Sequence, residues 1–352
     1  MKWPFKMQWL FGIFILVLTA HMILWTSPLP ITDSELWTAS ASTIAAGILP
    51  DFSTPTPSHP GTTILLPTAL LIALHVPATR ALGIVMAILM SLCIILIVQQ
   101  CAIARPHTLW WVSALIVLVP NHLYLQMTPP SAFAAVLAAL YVVLLLRIRD
   151  TSVNHRLVIA LGACGGFLLA TRIDIGAALI FISFPYLWSI VRTRALMCLA
   201  VAFVVFTALN PYMWIHPILQ IQEFVDQIGS NVLVTLGFGF SFSILISTLL
   251  AFFLCCVLLC AKKAYISIPR DFLWWLLIFS VVMSLTILRS HYHPARYFFP
   301  LMTIWELFLP LFLFESLDRI PRFSDDARRT MQYIVVILLL LMRIAPALAF
   351  LL

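Results

Sequence analysis

Two acidic residues, Asp33 and Glu35, lie two positions apart at the start of a segment, residues 28–79, that contains no lysine or arginine. Carboxylates at this spacing can bind a divalent cation, or one can act as a general base while the other positions it. A solvated loop or a helix N-terminus, where acidic side chains are favoured, accounts for the same pair. Further along, His59 precedes a proline, which restricts its backbone, although it could equally be an ordinary loop histidine.

The densest polar cluster of the chain lies between residues 289 and 297 and reads RSHYHPARY. Its members Arg289, His293, Arg296 and Tyr297 combine cations with hydrogen-bond donors. Guanidinium groups match phosphate geometry with two parallel hydrogen bonds. Arginine and tyrosine also act as anchors at the membrane–water interface. The cluster is therefore a candidate phosphate site or an interfacial anchor.

Two further charged features lie inside or beside apolar runs. Arg172 and Asp174 share a very short turn, where they could serve a site or simply neutralise each other. Glu306 lies within an apolar run, and an intramembrane carboxylate is a functional candidate or the buried partner of an arginine.

The elements that must position these residues are membrane helices. Of the 352 residues, 63% are hydrophobic and 9% are charged, whereas about one quarter of a soluble domain is charged. The basic residues are dispersed between apolar runs, which argues against a nucleic-acid partner. We predict an all-α polytopic transmembrane fold, a single domain over residues 1–352 with no soluble C-terminal domain. The eleven predicted spans are 8–27, 80–98, 108–124, 131–146, 157–171, 174–191, 195–213, 231–261, 271–288, 297–316 and 331–351.

The apolar segment 62–76 contains Pro67 and is short for a span. If it does not cross and the N-terminus is inside, fifteen of the 20 lysines and arginines fall on the cytoplasmic side. Only Arg80, Arg172, Arg289 and Arg296 are then external, as the positive-inside rule favours, and Arg343 lies within the last span. The fifteen are Lys2, Lys6, Arg105, Arg147, Arg149, Arg156, Arg192, Arg194, Lys262, Lys263, Arg270, Arg319, Arg322, Arg328 and Arg329. Residues 28–79 become one long external loop, with juxtamembrane helices predicted at 36–48 and 62–76.

The order of these elements resembles the membrane glycosyltransferases of the GT-C class, in particular the protein O-mannosyltransferases and the lipid A aminoarabinose transferases. The family features are an acidic pair in a long first external loop, a His-Pro-Pro or Pro-Pro-Leu element after it, an arginine that opens the second span, a mid-chain Thr-Arg or Thr-Lys turn and a late His-Pro-Arg-Tyr element. In this sequence they are Asp33 and Glu35, His59-Pro60, Arg80, Thr171-Arg172 and His293-Pro294-Ala295-Arg296-Tyr297. The acidic residues are separated by Ser34, where those families often have adjacent acids, and Gly61 replaces a second proline.

The resemblance implies an inverting transfer of a hexosyl or pentosyl group from a polyprenyl-phosphate donor to an external glycan, lipid or protein acceptor. Asp33 would act as the base, with Glu35 as the alternative, and Glu35 and His59 would position the base or the acceptor. A divalent metal could be held by Asp33, Glu35 and His59. Arg296 would bind the lipid phosphate, assisted by Arg80, Arg172 or Arg289, and His293 and Tyr297 would contribute to substrate binding.

The implied location is the bacterial plasma membrane, with the active site facing the exterior and membrane lipids around the spans. A transporter or flippase of lipid-linked saccharides is the alternative function, and it would also use external arginines for phosphate. Such proteins usually contain internal repeats, and the sequence shows none.

Overall fold

A computed structural model describes residues 7–26, 34–48, 61–119, 128–151, 154–211, 218, 222, 242–260, 268–289, 298–317 and 324–351. Within these ranges the chain forms thirteen α-helices and no strand. The helices are α1 Met7–Thr26, α2 Ser34–Ala45, α3 Thr62–Ala73, α4 Ala78–Ala104, α5 Trp110–Leu118, α6 Pro129–Thr151, α7 His155–Thr171, α8 Ile173–Val191, α9 Arg194–Leu209, α10 Phe242–Cys260, α11 Arg270–Arg289, α12 Phe299–Leu317 and α13 Asp325–Leu351.

Among the described residues, five helices are long and apolar enough to cross a membrane: α1, α4, α6, α8 and α12. Large apolar side chains also face outward from the bundle, among them Phe11 at 65% exposure and Phe181 at 75%. Hydrocarbon surface of this size is favourable against lipid and unfavourable in water. The chain is therefore a helical membrane protein, and the total of eleven spans stays a prediction.

Helix α6 is the central helix of the bundle. Every residue from Pro129 to Ile148 is buried, and α6 packs against α4, α7, α8 and α12. Its first half is rich in alanine, and small side chains allow neighbouring membrane helices to approach closely. The same effect brings α7 against α9, where a Cβ atom added at Gly162 or Gly166 would lie 2.6 Å from a backbone oxygen of α9.

Charged residues join four helices at one end of the bundle. Arg105, just after α4, donates to Asp150 of α6 at 2.6 Å and lies 4.0 Å from Glu315 of α12. Arg149 of α6 pairs with Asp271, in the first turn of α11, at 2.5 Å. The ends of α4, α6 and α12 and the start of α11 therefore lie together, and we name this the Arg105 end.

The opposite end of the bundle is built around Arg172. Its guanidinium donates to Ser131, near the start of α6, at 2.7 Å. The backbone N–H of Gly61, which precedes α3, donates to the carbonyl oxygen of Thr171 at 3.2 Å. Ser131 and Asp150 mark the two ends on α6, and at 1.5 Å per residue roughly 28 Å separates this Arg172 end from the Arg105 end.

Helix α3 stays at the Arg172 end. It begins beside the end of α7, and residues 74–77 connect it to α4, which ends at the Arg105 end. With 27 residues, α4 is about 40 Å long, so its first residue must lie at the Arg172 end as well. A helix that starts and finishes at one end does not cross the bundle.

Candidate functional site at the Arg172 end

Arg172 occupies the one-residue break between α7 and α8. Its backbone is extended, with φ −147° and ψ 107°, between Thr171 and Ile173. The side chain is completely buried, which is costly for a cation unless its donors are satisfied. The break therefore holds a buried charge between the ends of two apolar helices.

The guanidinium of Arg172 is satisfied by a fork of hydrogen bonds. Its Nε donates to Oδ1 of Asp174 at 3.1 Å, and one Nη donates to Oδ2 at 2.5 Å. The other Nη donates to the hydroxyl of Ser131, which lies 2.8 Å from the hydroxyl of Thr128. Asp174 is also in the first turn of α8, where the helix dipole favours a carboxylate. Its side chain keeps 33% exposure, so the pair is open on the Asp174 side.

The start of α3 is docked onto the end of α7 by side-chain hydrogen bonds. Thr62 donates to the carbonyl oxygen of Ala170 at 3.1 Å. The hydroxyls of Thr63 and Thr171 lie 2.7 Å apart. Because Thr171 gives its own proton to the carbonyl of Phe167, Thr63 is the donor between the two hydroxyls. These bonds fix the end of the predicted first loop directly beside Arg172.

Helix α2 reaches the same place through Trp37. A Cβ atom added at Gly61 would collide with the indole ring of Trp37 and would lie 3.2 Å from Pro130 of α6. The Trp37 side chain is buried, and its indole N–H has no hydrogen-bond acceptor in the described part of the chain. A buried donor without an acceptor costs stability.

Three of the other predicted site residues are described. Glu35 is exposed in the first turn of α2, two residues before Trp37. Arg80 is exposed in the first turn of α4, at the Arg172 end. Arg289 is the last residue of α11, a helix that starts at the Arg105 end. The structure thus gathers the helices that carry Glu35 and Arg80 around Arg172.

Five predicted site residues lie outside the described ranges: Asp33, His59, His293, Arg296 and Tyr297. Their roles remain predictions. Among the described residues, no group of three or more histidine, cysteine or carboxylate side chains could hold a metal ion. Since Asp33 and His59 are two of the three predicted ligands, the metal prediction is untested.

Glu306, the intramembrane candidate, is buried in α12 at 7% exposure. It lies nine residues before Glu315 and so about 13 Å along the helix from the Arg105 end. It belongs to the interior of the bundle between the two ends.

Sequence reasoning missed the neutral residues that complete the Arg172 end. Ser131 lies in an alanine-rich apolar run and Trp37 in a short loop helix, so neither carries a local signal. Thr62 and Thr63 follow the His-Pro-Gly element, but threonine there equally fits an ordinary helix start. Their importance comes from contacts with residues about 24 to 108 positions away.

Comparison of the chain with protein-family models, with characterised proteins and with solved structures finds no match.

Proposed function

We propose that the chain is an integral membrane glycosyltransferase that moves a sugar from a polyprenyl-phosphate donor to an acceptor at the Arg172 end. The chemistry requires a carboxylate base near a cationic phosphate site, in a place that both a lipid and a polar acceptor can reach. The observation that supports this proposal is the docking of α3 onto the Arg172 turn, with α2 packed against α3 and Gly61. It brings Glu35 of α2, exposed Arg80 and the buried Trp37 N–H to one end of an apolar bundle.

In the proposed reaction, Asp33 removes the proton of the acceptor hydroxyl. The acceptor oxygen then forms a bond to the anomeric carbon from the face opposite the phosphate. The bond between that carbon and the phosphate oxygen breaks, and the polyprenyl phosphate leaves with the electron pair. Arginine side chains aimed at the departing phosphate stabilise its growing charge, and they do so most strongly in a site of low dielectric.

Arg172 and the other arginines take different parts in this proposal. The donors of Arg172 are used by Asp174 and Ser131, so we assign Arg172 to positioning the α7–α8 turn. Arg296 is the proposed phosphate ligand, and Arg80 assists it from an exposed position in the first turn of α4. That turn also offers free backbone N–H groups to an anion.

We predict that substitution of Asp33 and substitution of Arg296 reduce function in different ways. Asp33→Asn should lower turnover by a factor on the order of 10²–10⁴, the usual contribution of a general base, and leave donor binding nearly unchanged. Arg296→Ala should weaken donor binding as well, and Arg296→Lys should keep part of it, because lysine retains the charge and loses the fork. The measurements are sugar transfer and polyprenyl-phosphate binding by purified protein in detergent.

Asp326→Asn is the matched control, since Asp326 is exposed in the first turn of α13; it should leave both quantities unchanged. If Asp33→Asn retains activity within a few fold while Glu35→Gln loses it, the base is Glu35. If the protein moves a lipid-linked saccharide across the membrane of vesicles and forms no transfer product, the proposed transferase is wrong and the transporter is the function.

A further inference from the structure

Arg147, in the last turns of α6, is a buried cation that the proposed transferase does not use. It is 4% exposed, and it lies at the Arg105 end, about 24 Å along α6 from Ser131, the hydrogen-bond partner of Arg172. Its Nε atom is covered and has no hydrogen-bond partner among the described residues. Within the described ranges, no carboxylate forms an ion pair with its guanidinium.

The nearby charges do not compensate Arg147. Asp150 attracts it and Arg105 repels it. Asp150, however, is already hydrogen bonded to Arg105 at 2.6 Å. The next pair along α6, Arg149 with Asp271, satisfies its own members. Arg147 is thus a second guanidinium group beside Arg105. Among the described side chains, no carboxylate pairs with it.

We propose that Arg147, flanked by Arg105, binds a phosphate group at the Arg105 end of the bundle. Phosphate carries the negative charge that the Arg147 guanidinium lacks, and its oxygens accept the parallel N–H donors of a guanidinium group. The group can belong to the headgroup of an anionic phospholipid or be free inorganic phosphate. Because the site lies at the other end from Arg172, the proposal stands independently of the proposed function.

The test uses the full chain, purified in detergent and freed of lipid. We would measure the thermal unfolding midpoint with added phosphatidylglycerol, with phosphatidylcholine, and with inorganic phosphate compared with chloride at equal ionic strength. Native mass spectrometry would show which phospholipid stays bound. Stabilisation by phosphatidylglycerol alone identifies a lipid site, and stabilisation by inorganic phosphate identifies a soluble phosphate. Absence of both overturns the proposal and leaves Arg147 as a cation favoured by the C-terminal end of a helix.

Arg147→Gln should weaken the binding roughly tenfold or more, the scale of a lost charge-assisted hydrogen bond. Arg149→Gln makes the same charge change two residues away, where the pair with Asp271 is 40% and 43% exposed, and should change binding less than twofold. Equal losses in both variants would show general attraction to a basic surface and overturn the site. If Arg147→Gln does not fold, Arg147→Lys decides: binding equal to the wild type contradicts a guanidinium fork.

Discussion

Arg172 is the charged side chain on which the Arg172 end depends. It is completely buried, and it joins the α7–α8 turn to Ser131 of α6 and to Asp174. A buried ion pair adds little net stability, because desolvation offsets attraction, but removal of one partner leaves an uncompensated charge or unpaired acceptors. The pair therefore specifies where the turn lies more than it stabilises the fold.

This asymmetry gives a stability prediction. Arg172→Ala should lower the free energy of unfolding by about 3 kcal/mol, the lower end of the range for breaking a buried pair, because Asp174 is 33% exposed. Arg172→Lys should lose less, since it keeps the charge. Arg149→Ala breaks a pair whose members are 40% and 43% exposed and should cost about 0–1 kcal/mol.

Denaturation in mixed micelles measures the three variants side by side. A double variant, Arg172→Met with Asp174→Leu, should recover part of the loss, since it leaves neither charge unpaired. Equal effects of Arg172→Ala and Arg149→Ala would show that the Arg172 pair is solvated like a surface pair.

At the scale of elements, the candidate site is built by α3, which docks on the α7–α8 turn, and by α2, which packs against α3 and Gly61. This contact depends on Gly61. Its φ of +59° lies in the left-handed region, its N–H bonds to Thr171, and Trp37 and Pro130 occupy the space that a side chain would need. Only glycine meets these three conditions without strain.

Gly61→Ala should therefore undock the first loop and reduce sugar transfer, while the bundle stays folded. The matched control is Gly47→Ala, because Gly47 has φ +80° and no atom within 4 Å of an added Cβ. Both substitutions carry the backbone strain of roughly 1–2 kcal/mol, and only Gly61→Ala adds overpacking of about 1–3 kcal/mol.

Thermal unfolding and protease sensitivity of residues 28–79 separate the two variants. If Gly47→Ala loosens the loop as much as Gly61→Ala does, backbone strain alone accounts for the effect. The contact with Trp37 and Pro130 would then contribute nothing measurable.

The positions of most of the described helices could be predicted, because most apolar runs have the length of a helix. The predicted span 174–191 and α8, for example, differ by one residue at the start. Helix α4 was predicted to end at 98 but continues through Gln99 and Gln100 to Ala104, because Cys101 and Ala102 are buried against the bundle. The contacts Arg172–Ser131 and Gly61–Trp37 could not be predicted, since they depend on how helices far apart in sequence pack together.

For the molecule as a whole, the two ends differ in the way they use charge. The Arg105 end carries ion pairs between helix ends, with Arg105, Arg147 and Arg149 close together. The Arg172 end, among its described residues, has one buried pair surrounded by hydroxyl groups. Retention of basic residues on the cytoplasmic side then predicts that the Arg105 end is cytoplasmic and the Arg172 end is external.

This orientation can be tested with two single-cysteine variants, one at each end of α4. Thr79 and His107 are both exposed, and α4 separates them by about 40 Å. In a background without Cys256 and Cys260, Thr79→Cys should react with a membrane-impermeant maleimide in intact cells. His107→Cys should react only after the cells are permeabilised, because it follows Arg105 at the basic end.

Cysteines at positions 53 and 290, in the segments predicted to be external, should label together with position 79. Protection of position 290 with labelling of position 53 would mean that residues 62–76 cross the membrane. This would contradict the position of α3, which starts and ends at the Arg172 end. Labelling of position 107 with protection of position 79 would show that the molecule has the opposite orientation in the membrane. The proposed base and phosphate ligand would then face the cytoplasm, where the positive-inside rule gives arginines such as Arg296 a purely topological role.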